Sequence, residues 1–397
     1  MPQRGIHSVT VPGVVAGWEA MRGRFGTKPF SELLAPAIYY AENGFPLSET
    51  IAGAWARSVK MHSEHPNSQK TYLVDGTRAP KAGEVFRNPD LAGSLRLIAD
   101  KGRDGYYKGK TAEAILTISR EQGGTMTAAD LAEFQPEWVT PIRTTCRGWN
   151  VYEIGPNTQG ISALMMLNLM EQYPLADYGF HSAAKAACQV EPANLAGVTD
   201  AEGSDTIYMS VIDKDGNIVS LIQSNCSGFG SGLVPPGAGF MLHNRGGLFT
   251  LAKGQPNTLA PRKRPLHTII PAFMEKGDQR IGFGIMGGWN QGQAHAQFAA
   301  NIAGYGMTIQ QALEAGRFTK GSFEGCDVQI EALVPDTTRA ELKARGHDLR
   351  VVPPRTGTFG YGQAVMSGPG GVHFGASEPR HDGAAIPQAP PVFGPQK

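Results

Sequence analysis

The feature that most constrains the fold is a β-hairpin near the middle of the chain. Its arms, 207–212 and 218–222, are rich in β-branched and apolar residues, which favour strands. The turn Lys214–Asn217 lies between them, and its glycine and asparagine are the residue types that accept a positive φ at a tight reversal. The pattern therefore predicts two antiparallel strands, with Thr206 at their upstream end.

Thr206 follows a polar, loop-like stretch, 199–205. If the chain were cut between Asp205 and Thr206, the threonine would carry a free α-amino group beside its hydroxyl. That amine has a reference pKa of ~8, so a useful fraction is neutral at pH 7 and can accept the hydroxyl proton. Nucleophile and general base would then share one residue. An ordinary threonine at a strand start is the alternative, and the hairpin alone leaves it open.

The segment 206–217 resembles the start of the small subunit of γ-glutamyltransferases, which are N-terminal nucleophile hydrolases. The resemblance extends in the family's order over most of the chain. It is carried by Ser8–Trp18, Leu33–Ile38, Gly44–Pro46, Val151–Ile161, Phe229–Gly232, Gly239–Asn244, Pro256–Leu266, Met286–Gly288 and Ala376–Ala385.

The resemblance implies an α+β fold of the N-terminal nucleophile hydrolase type, a four-layer αββα sandwich made from both halves of the chain. It implies a large-subunit region, 1–205, and a small-subunit region, 206–397. Self-cleavage would separate them, and the two fragments would stay associated without a covalent link.

Helix and strand signals indicate the α+β class independently. Helices are favoured before the hairpin and again after residue 290, with short strands between, which argues against an alternating doubly wound fold. Capping residues and Gly stops predict most helix bounds. The predicted helices follow Asn88 and Thr127 and cover 110–121, 160–171, 293–303, 308–315 and 336–345, and Pro36 predicts a kink or a restarted helix.

Composition narrows the choice of partners. Lysine plus arginine (36) nearly equals aspartate plus glutamate (35), so no basic field attracts nucleic acid or anionic lipid. No apolar run reaches the ~18 residues of a membrane span, and the start lacks an apolar signal-peptide region. The expectation is a cytoplasmic protein by default, periplasmic or secreted if an upstream segment was lost.

Neither a metal nor a cofactor is expected. The four cysteines are widely spaced without a CxxC pair, which argues against a structural zinc site or a disulfide scaffold. His62 and His65 are spaced HxxH, but no carboxylate or cysteine cluster joins them. A solvated helix face is the prediction for these two histidines.

Acyl transfer needs a nucleophile, a base and donors for the developing oxyanion. Thr206 would supply the first two. The resemblance places Gly287 and Gly288 at the family's glycine pair, whose backbone amides form the oxyanion hole, whereas a simple turn is the alternative for Gly-Gly alone. Ser224 falls where the family carries a hydroxyl beside the nucleophile, and is expected to orient Thr206 or its amine.

The substrate-binding positions depart from the family. Leu248 stands where the family has the aspartate that pairs with the substrate's α-ammonium, and Arg245 lies nearby. His267 and Thr268 replace two serines that contact the γ-glutamyl group. Cys226 replaces an asparagine. The expected substrate-binding residues are Ser224, Asn225, Asn244, Arg245, His267 and Thr268.

Three readings of function remain open. The first is γ-glutamyl transfer or glutathione hydrolysis. The second is an amidohydrolase or acylase for a glutaryl- or oxamate-like acyl group, because leucine cannot compensate a buried ammonium whereas Arg245 suits a carboxylate. Both act on a small-molecule amide. The third is an inactive, truncated member, because the family's segment before Ser8, including its carboxylate-gripping arginine, has no counterpart here.

Overall fold

The computed structural model describes residues 1–180, 204–321 and 325–387. The chain divides into two units. The first comprises 1–139, 200–206 and 223–267, and the second comprises 140–199, 207–222 and 268–397. The strands of the central hairpin therefore contribute residues to both. These units are defined by packing. The sequence predicted a different division, a covalent cut after residue 205, and that division stays a prediction.

The first unit is mainly helical. Its apolar core is centred on fully buried side chains such as Ile115, Leu131 and Leu233. Two short strands, β1 (Phe45–Pro46) and β2 (Val85–Phe86), pair antiparallel. Its helices are α1 (Val14–Phe25), α2 (Phe30–Leu33), α3 (Ala35–Asn43), α4 (Glu49–Ala56), α5 (Val59–Ser63), α6 (Pro66–Tyr72), α7 (Pro89–Lys101), α8 (Asp104–Tyr107), α9 (Gly109–Glu121) and α10 (Ala128–Ala132).

The predicted helix starts in this unit are confirmed. The side chain of Asn88 accepts from the Leu91 amide at 3.0 Å, and Thr127 forms a reciprocal capping box with Asp130. Such caps each stabilise a helix by about 1 kcal/mol. Pro36 sits in the first turn of α3, so the helix restarts there.

The prediction of a solvated face for the HxxH histidines is wrong for His62. This ring is buried, its Nδ1 lies 2.8 Å from the Ser68 hydroxyl, and it packs edge-on against Phe229. Burial first, and then the charge of Arg4, lower the pKa of His62 to about 4. The imidazole is therefore neutral at pH 7 and belongs to the core.

The second unit is built on a six-stranded antiparallel sheet. Its strands lie in the order β13-β12-β8-β7-β4-β3. They are β3 (Ile142–Cys146), β4 (Trp149–Glu153), β7 (Ala272–Lys276), β8 (Gln279–Met286), β12 (Tyr361–Ser367) and β13 (His373–Ser377). Helices α11 (Gly160–Glu171) and α13 (Gln291–Tyr305) share its apolar core.

The predicted hairpin is confirmed as β5 (Ser204–Ile212) and β6 (Ile218–Ser227). At the turn, Gly216 takes a φ of 82°. The Asp213 carboxylate accepts from the backbone amides of Asp215 and Asn217, both at 2.9 Å. Backbone freedom at glycine and a carboxylate cap together explain the reversal.

The middle strand β8 presents different residues on its two faces. Phe283 stacks on Phe298 of α13 with ring centroids 4.7 Å apart. A Cβ at Gly284 would overlap the Tyr208 ring, and one at Gly282 would overlap the Ile218 side chain. Because side chains alternate along a strand, the glycines let the hairpin pack on the face opposite the helices.

The remaining elements complete the second unit. Strands β9 (Phe318–Thr319), β10 (Asp327–Glu331) and β11 (Asp348–Val352) form a small sheet in the order β11-β10-β9. The other helices are α12 (Leu175–Tyr178), α14 (Ile309–Glu314) and α15 (Asp336–Ala344). Mixed sheets with segregated helices make the fold α+β, as predicted.

The described ranges contain neither a membrane-spanning helix nor a cluster of metal-binding side chains. In those ranges no helix is both long and apolar enough to cross a membrane. Across the same residues, no group of three or more His, Cys, Asp or Glu side chains is placed to hold a metal ion.

Candidate active site

Thr206 lies on β5 and is only 6% exposed. Its hydroxyl donates to the Ser224 hydroxyl on β6 at 2.9 Å. The Ser224 oxygen also accepts from the Cys226 amide at 2.9 Å. A backbone group thus fixes the serine, which in turn holds the threonine hydroxyl. The backbone of Asp205 continues β5 before Thr206, and its side chain lies outside the described part of the chain.

The loop after β6 is held by Asn244. Its carbonyl oxygen Oδ1 accepts from the Ser227 amide at 3.0 Å, and its Nδ2 donates to the Gln3 carbonyl at 2.6 Å. Its backbone amide also donates to the Asn225 carbonyl at 3.0 Å. Asn244 is only 2% exposed, and its hydrogen bonds stabilise the backbone that carries the side chains of Asn225 and Arg245.

Arg245 is the buried charge of this region. It begins a short 3₁₀ helix, Arg245–Leu248, and is 8% exposed. Burial lowers its pKa from the ordinary value, while the nearby Cys226 thiol raises it. A guanidinium stays protonated at any physiological pH. The region therefore holds a permanent, largely desolvated positive charge.

The charge of Arg245 contributes to lowered pKa values at two neighbouring imidazoles. Burial and the Arg245 guanidinium lower the pKa of His243 to about 4. Burial, Arg245 and Arg264 lower the pKa of His267 to about 4 as well. Both rings are neutral at pH 7. The Arg245 amide donates to Nδ1 of His243 at 3.0 Å, which assigns the proton of that ring to Nε2.

Leu248 and Leu266, the residue before His267, are linked through Asn257. The Asn257 side chain donates to the Leu248 carbonyl at 2.6 Å and accepts from the Leu266 amide at 2.8 Å. The intervening basic stretch is tethered by ion pairs: Arg262 binds Glu133 at 2.9 Å and Arg264 binds Glu137. Because both pairs are exposed, each contributes about 1 kcal/mol or less.

The glycine pair lies in the second unit, at the end of β8. Gly287 has a φ of 152° and Gly288 a φ of 58°. A Cβ on Gly287 would lie 2.9 Å from the Cα of Gly360, whereas no described atom is within 4 Å of one on Gly288. Gly287 is thus required by space and conformation, and Gly288 by conformation alone.

The carbonyls of the pair are both held. The Gly287 oxygen accepts from the Asn290 amide at 3.1 Å. The Gly288 oxygen accepts from the side-chain amide of Gln159 at 2.8 Å, and the same nitrogen donates to the Thr268 carbonyl at 2.7 Å. Thr268 is therefore tied to the glycine turn.

The structure assembles the predicted residues in two groups. Ser224, Asn225, Asn244, Arg245 and His267 lie in the unit that contains Thr206, and Thr268 lies with Gly287 and Gly288 in the other. Sequence reasoning missed Gln159 and His243. Both belong to stretches that carried the family resemblance, Val151–Ile161 and Gly239–Asn244, and position within a matched stretch was the available signal.

Comparison with protein families and with curated proteins gives consistent results. The family model described as gamma-glutamyltranspeptidase matches residues 1–202 and 188–388. The chain is 34% identical to the glutathione hydrolase-like YwrD proenzyme of Bacillus subtilis (strain 168), over 97% of this chain and 82% of that protein. It is 31% identical to the oxamate amidohydrolase proenzyme of Klebsiella pneumoniae, again over 97% of this chain and 82% of that protein.

One solved structure is similar over nearly the whole of this chain. The cephalosporin acylase from Bacillus halodurans superimposes with a TM-score of 0.88 at 36% sequence identity, covering 97% of this chain and 79% of that one. The names of these relatives thus refer to three different compounds: glutathione, oxamate and cephalosporin.

Proposed function

Because the chain belongs to the gamma-glutamyltranspeptidase family and has the N-terminal nucleophile hydrolase fold, we propose that Thr206 is the nucleophile with which it cleaves a small-molecule amide. The family consists of amide hydrolases and acyltransferases, and this chain is an enzyme of that kind. The observation that carries the assignment is the buried Thr206 hydroxyl, held by Ser224 at 2.9 Å.

The proposed mechanism begins with maturation, that is, self-cleavage of the chain between Asp205 and Thr206. The Thr206 hydroxyl attacks the carbonyl carbon of Asp205, the bond to the Thr206 nitrogen breaks, and an ester with a free α-amine results. Water then hydrolyses the ester, leaving a carboxylate on Asp205 and the hydroxyl on Thr206. The relatives from Bacillus subtilis and Klebsiella pneumoniae are named as proenzymes, which supports such a step. The fragments 1–205 and 206–397 are proposed to remain associated.

Turnover uses the groups that maturation exposes. The α-amine takes the hydroxyl proton as the Thr206 oxygen attacks the substrate carbonyl, and the amides of Gly287 and Gly288 stabilise the oxyanion. The leaving amine departs with that proton, so an acyl ester remains on Thr206. Water releases the acid, or an acceptor amine takes the acyl group, and the hydroxyl regains its proton in either case.

The acyl group is proposed to end in a carboxylate bound by Arg245. A desolvated guanidinium gains more from an anionic ligand than one in water, and the neutral His243 and His267 add donors without charge. Leu248, half-buried at the other end of the same 3₁₀ turn, offers nothing to an ammonium. Asn225, Asn244 and His267 are proposed to bind substrate beside Arg245, and Thr268 is proposed as a further substrate-binding residue.

A glutaryl- or oxamate-like amide is therefore the favoured substrate class. The relative named oxamate amidohydrolase supports it. The γ-glutamyl reading remains the second candidate, because another relative is named glutathione hydrolase-like. The two differ in one group, the α-ammonium of the γ-glutamyl moiety, and this difference makes them separable by experiment.

We expect kcat/KM for a glutaryl p-nitroanilide to equal or exceed that for the γ-glutamyl analogue. Arg245→Met should lower kcat/KM for the glutaryl substrate by about 10²-fold, since losing one partner of a buried charge pair costs about 2–5 kcal/mol. The control is a valeryl anilide, which lacks the carboxylate and should change little in the same variant. A strong γ-glutamyl preference in the wild type would show that some carboxylate receives the ammonium and that the pocket has been misread.

Ser224→Ala should lower kcat by about 3- to 10-fold in matured protein, because a hydrogen bond of this kind contributes about 0.5–1.5 kcal/mol. KM should change less, since the contact is with the nucleophile. Ser224→Thr, which keeps the hydroxyl, is the matched control and should restore most of kcat. Equal kcat in the alanine variant and the wild type would remove Ser224 from the orientation of Thr206.

A further inference from the structure

We propose that Gln159 is a positioning residue that locks the Gly288 turn to the Thr268 segment. This inference rests on the proposed function, because it concerns the geometry of the oxyanion donors. Gln159 lies just before α11 and is 5% exposed. Its single side-chain nitrogen donates to the Gly288 and Thr268 carbonyls at 2.8 and 2.7 Å. An amide has two N–H groups, so the donors match the acceptors.

Gln159 is itself held by a rigid turn. The Thr158 hydroxyl donates to the Ile154 carbonyl at 2.6 Å and accepts from the Gly160 amide at 3.1 Å. The Gln159 carbonyl accepts from both the amide and the hydroxyl of Ser162, at 3.0 and 2.6 Å. A Cβ on Gly160 would overlap the Ile154 carbonyl. The backbone from which the Gln159 side chain extends is therefore held in one conformation.

The Gly288 turn needs such support. Glycine has the widest choice of backbone conformations, so two consecutive glycines do not fix the direction of their own amides. With the Gly287 carbonyl on Asn290 and the Gly288 carbonyl on Gln159, the peptide planes on either side of Gly288 are both held. Oxyanion stabilisation depends on donors that are already oriented before charge develops. The Gly288 amide lies in the plane held by Asn290. Gln159, together with the Gln291 amide, fixes the plane that follows Gly288, so the turn that carries the donor keeps its direction without Gln159 touching the substrate.

The test is Gln159→Met, which keeps the volume and removes both donors. We expect kcat to fall by roughly 10- to 100-fold, as expected for a small displacement of catalytic groups, with KM changed less than threefold. Self-cleavage should slow in parallel if it uses the same donors. Gln159→Glu, which is nearly isosteric, should also lose kcat at neutral pH and regain part of it as the carboxyl is protonated and donates to one carbonyl.

Gln297→Met is the matched control. Gln297 is buried in the same unit, and its nitrogen likewise donates to two carbonyls, those of Gln293 and Phe318, at 3.1 and 2.9 Å. It should lower the melting temperature and leave kcat near wild type. A Gln159→Met protein with wild-type kcat, or an equal loss of kcat in Gln297→Met, would overturn the proposal. If Gln159→Met does not fold, a Gln159→Glu protein with wild-type kcat and pH profile overturns it.

The inference and the proposed function fail in different ways. If the Thr206→Ala protein were as active as the wild type, Thr206 could not be the nucleophile, and the proposed function would be refuted. An inactive Thr206→Ala protein together with a fully active Gln159→Met protein would refute only the positioning role.

Discussion

A Thr206→Ala protein is expected to migrate as one uncut chain on a denaturing gel and to show no turnover. The variant removes the attacking oxygen of both maturation and catalysis, and loss of a catalytic nucleophile lowers kcat on the order of 10⁴–10⁶-fold. The wild type should give two fragments whose masses correspond to 1–205 and 206–397. Intact mass spectrometry and amide hydrolysis, measured on the same samples, check both expectations.

Two variants control this experiment. Thr206→Ser keeps a hydroxyl and loses only the methyl group, so it should retain part of both cleavage and activity. Thr111→Ala removes another buried threonine hydroxyl of the same unit, one without a hydrogen-bond partner in the described residues. It should mature and turn over normally. A wild-type protein that is uncut yet active would refute the N-terminal threonine mechanism, and an uncut, inactive one would support the reading as an inactive member.

Sequence patterns predicted the helix starts and the hairpin turn well, because residues close together in the chain determine those features. The caps at Asn88, Thr127 and Thr308 each satisfy a backbone amide three residues away, and the hairpin turn is closed within five residues. The sheet order was not predictable in this way. Pairing of β4 with β7 joins Val151 to Met274, and nothing near either residue encodes the partner. His62 was misassigned for the same reason, because Phe229 covers it from far along the chain.

The candidate site shows the same limit. Thr206 and Ser224 could be proposed because they stand at matched positions on one hairpin. For Gln159 the matched stretch indicated a position but no role, since both of its partners are backbone carbonyls, at residues 268 and 288. A carbonyl belongs to every residue and leaves no signature in the sequence. Asn244 shows what a matched position does not reveal: its side chain is engaged by the Ser227 amide and the Gln3 carbonyl, and its expected substrate contact stays a prediction.

Gly288→Val should lower kcat by about 10²–10³-fold in a folded, matured protein, the effect of losing one oxyanion donor. The cause is backbone conformation. Gly288 has a φ of 58°, which a β-branched residue adopts only with strain, so valine would rotate the amide away from its present direction. KM should change less, because the donor acts on charge that develops in the transition state. Steady-state kinetics, with circular dichroism to verify folding, measure the effect.

A graded series separates conformation from bulk. No described atom lies within 4 Å of a Cβ at Gly288, so asparagine, which tolerates the left-handed region, should retain more kcat than alanine, and alanine more than valine. Gly306 is the matched control, with a φ of 63° and equally open surroundings at the end of α13. Gly306→Val should cost stability and leave kcat unchanged. Near-wild-type kcat in matured Gly288→Val would place the oxyanion donors elsewhere, and the role assigned to Gln159 would lose its basis with them.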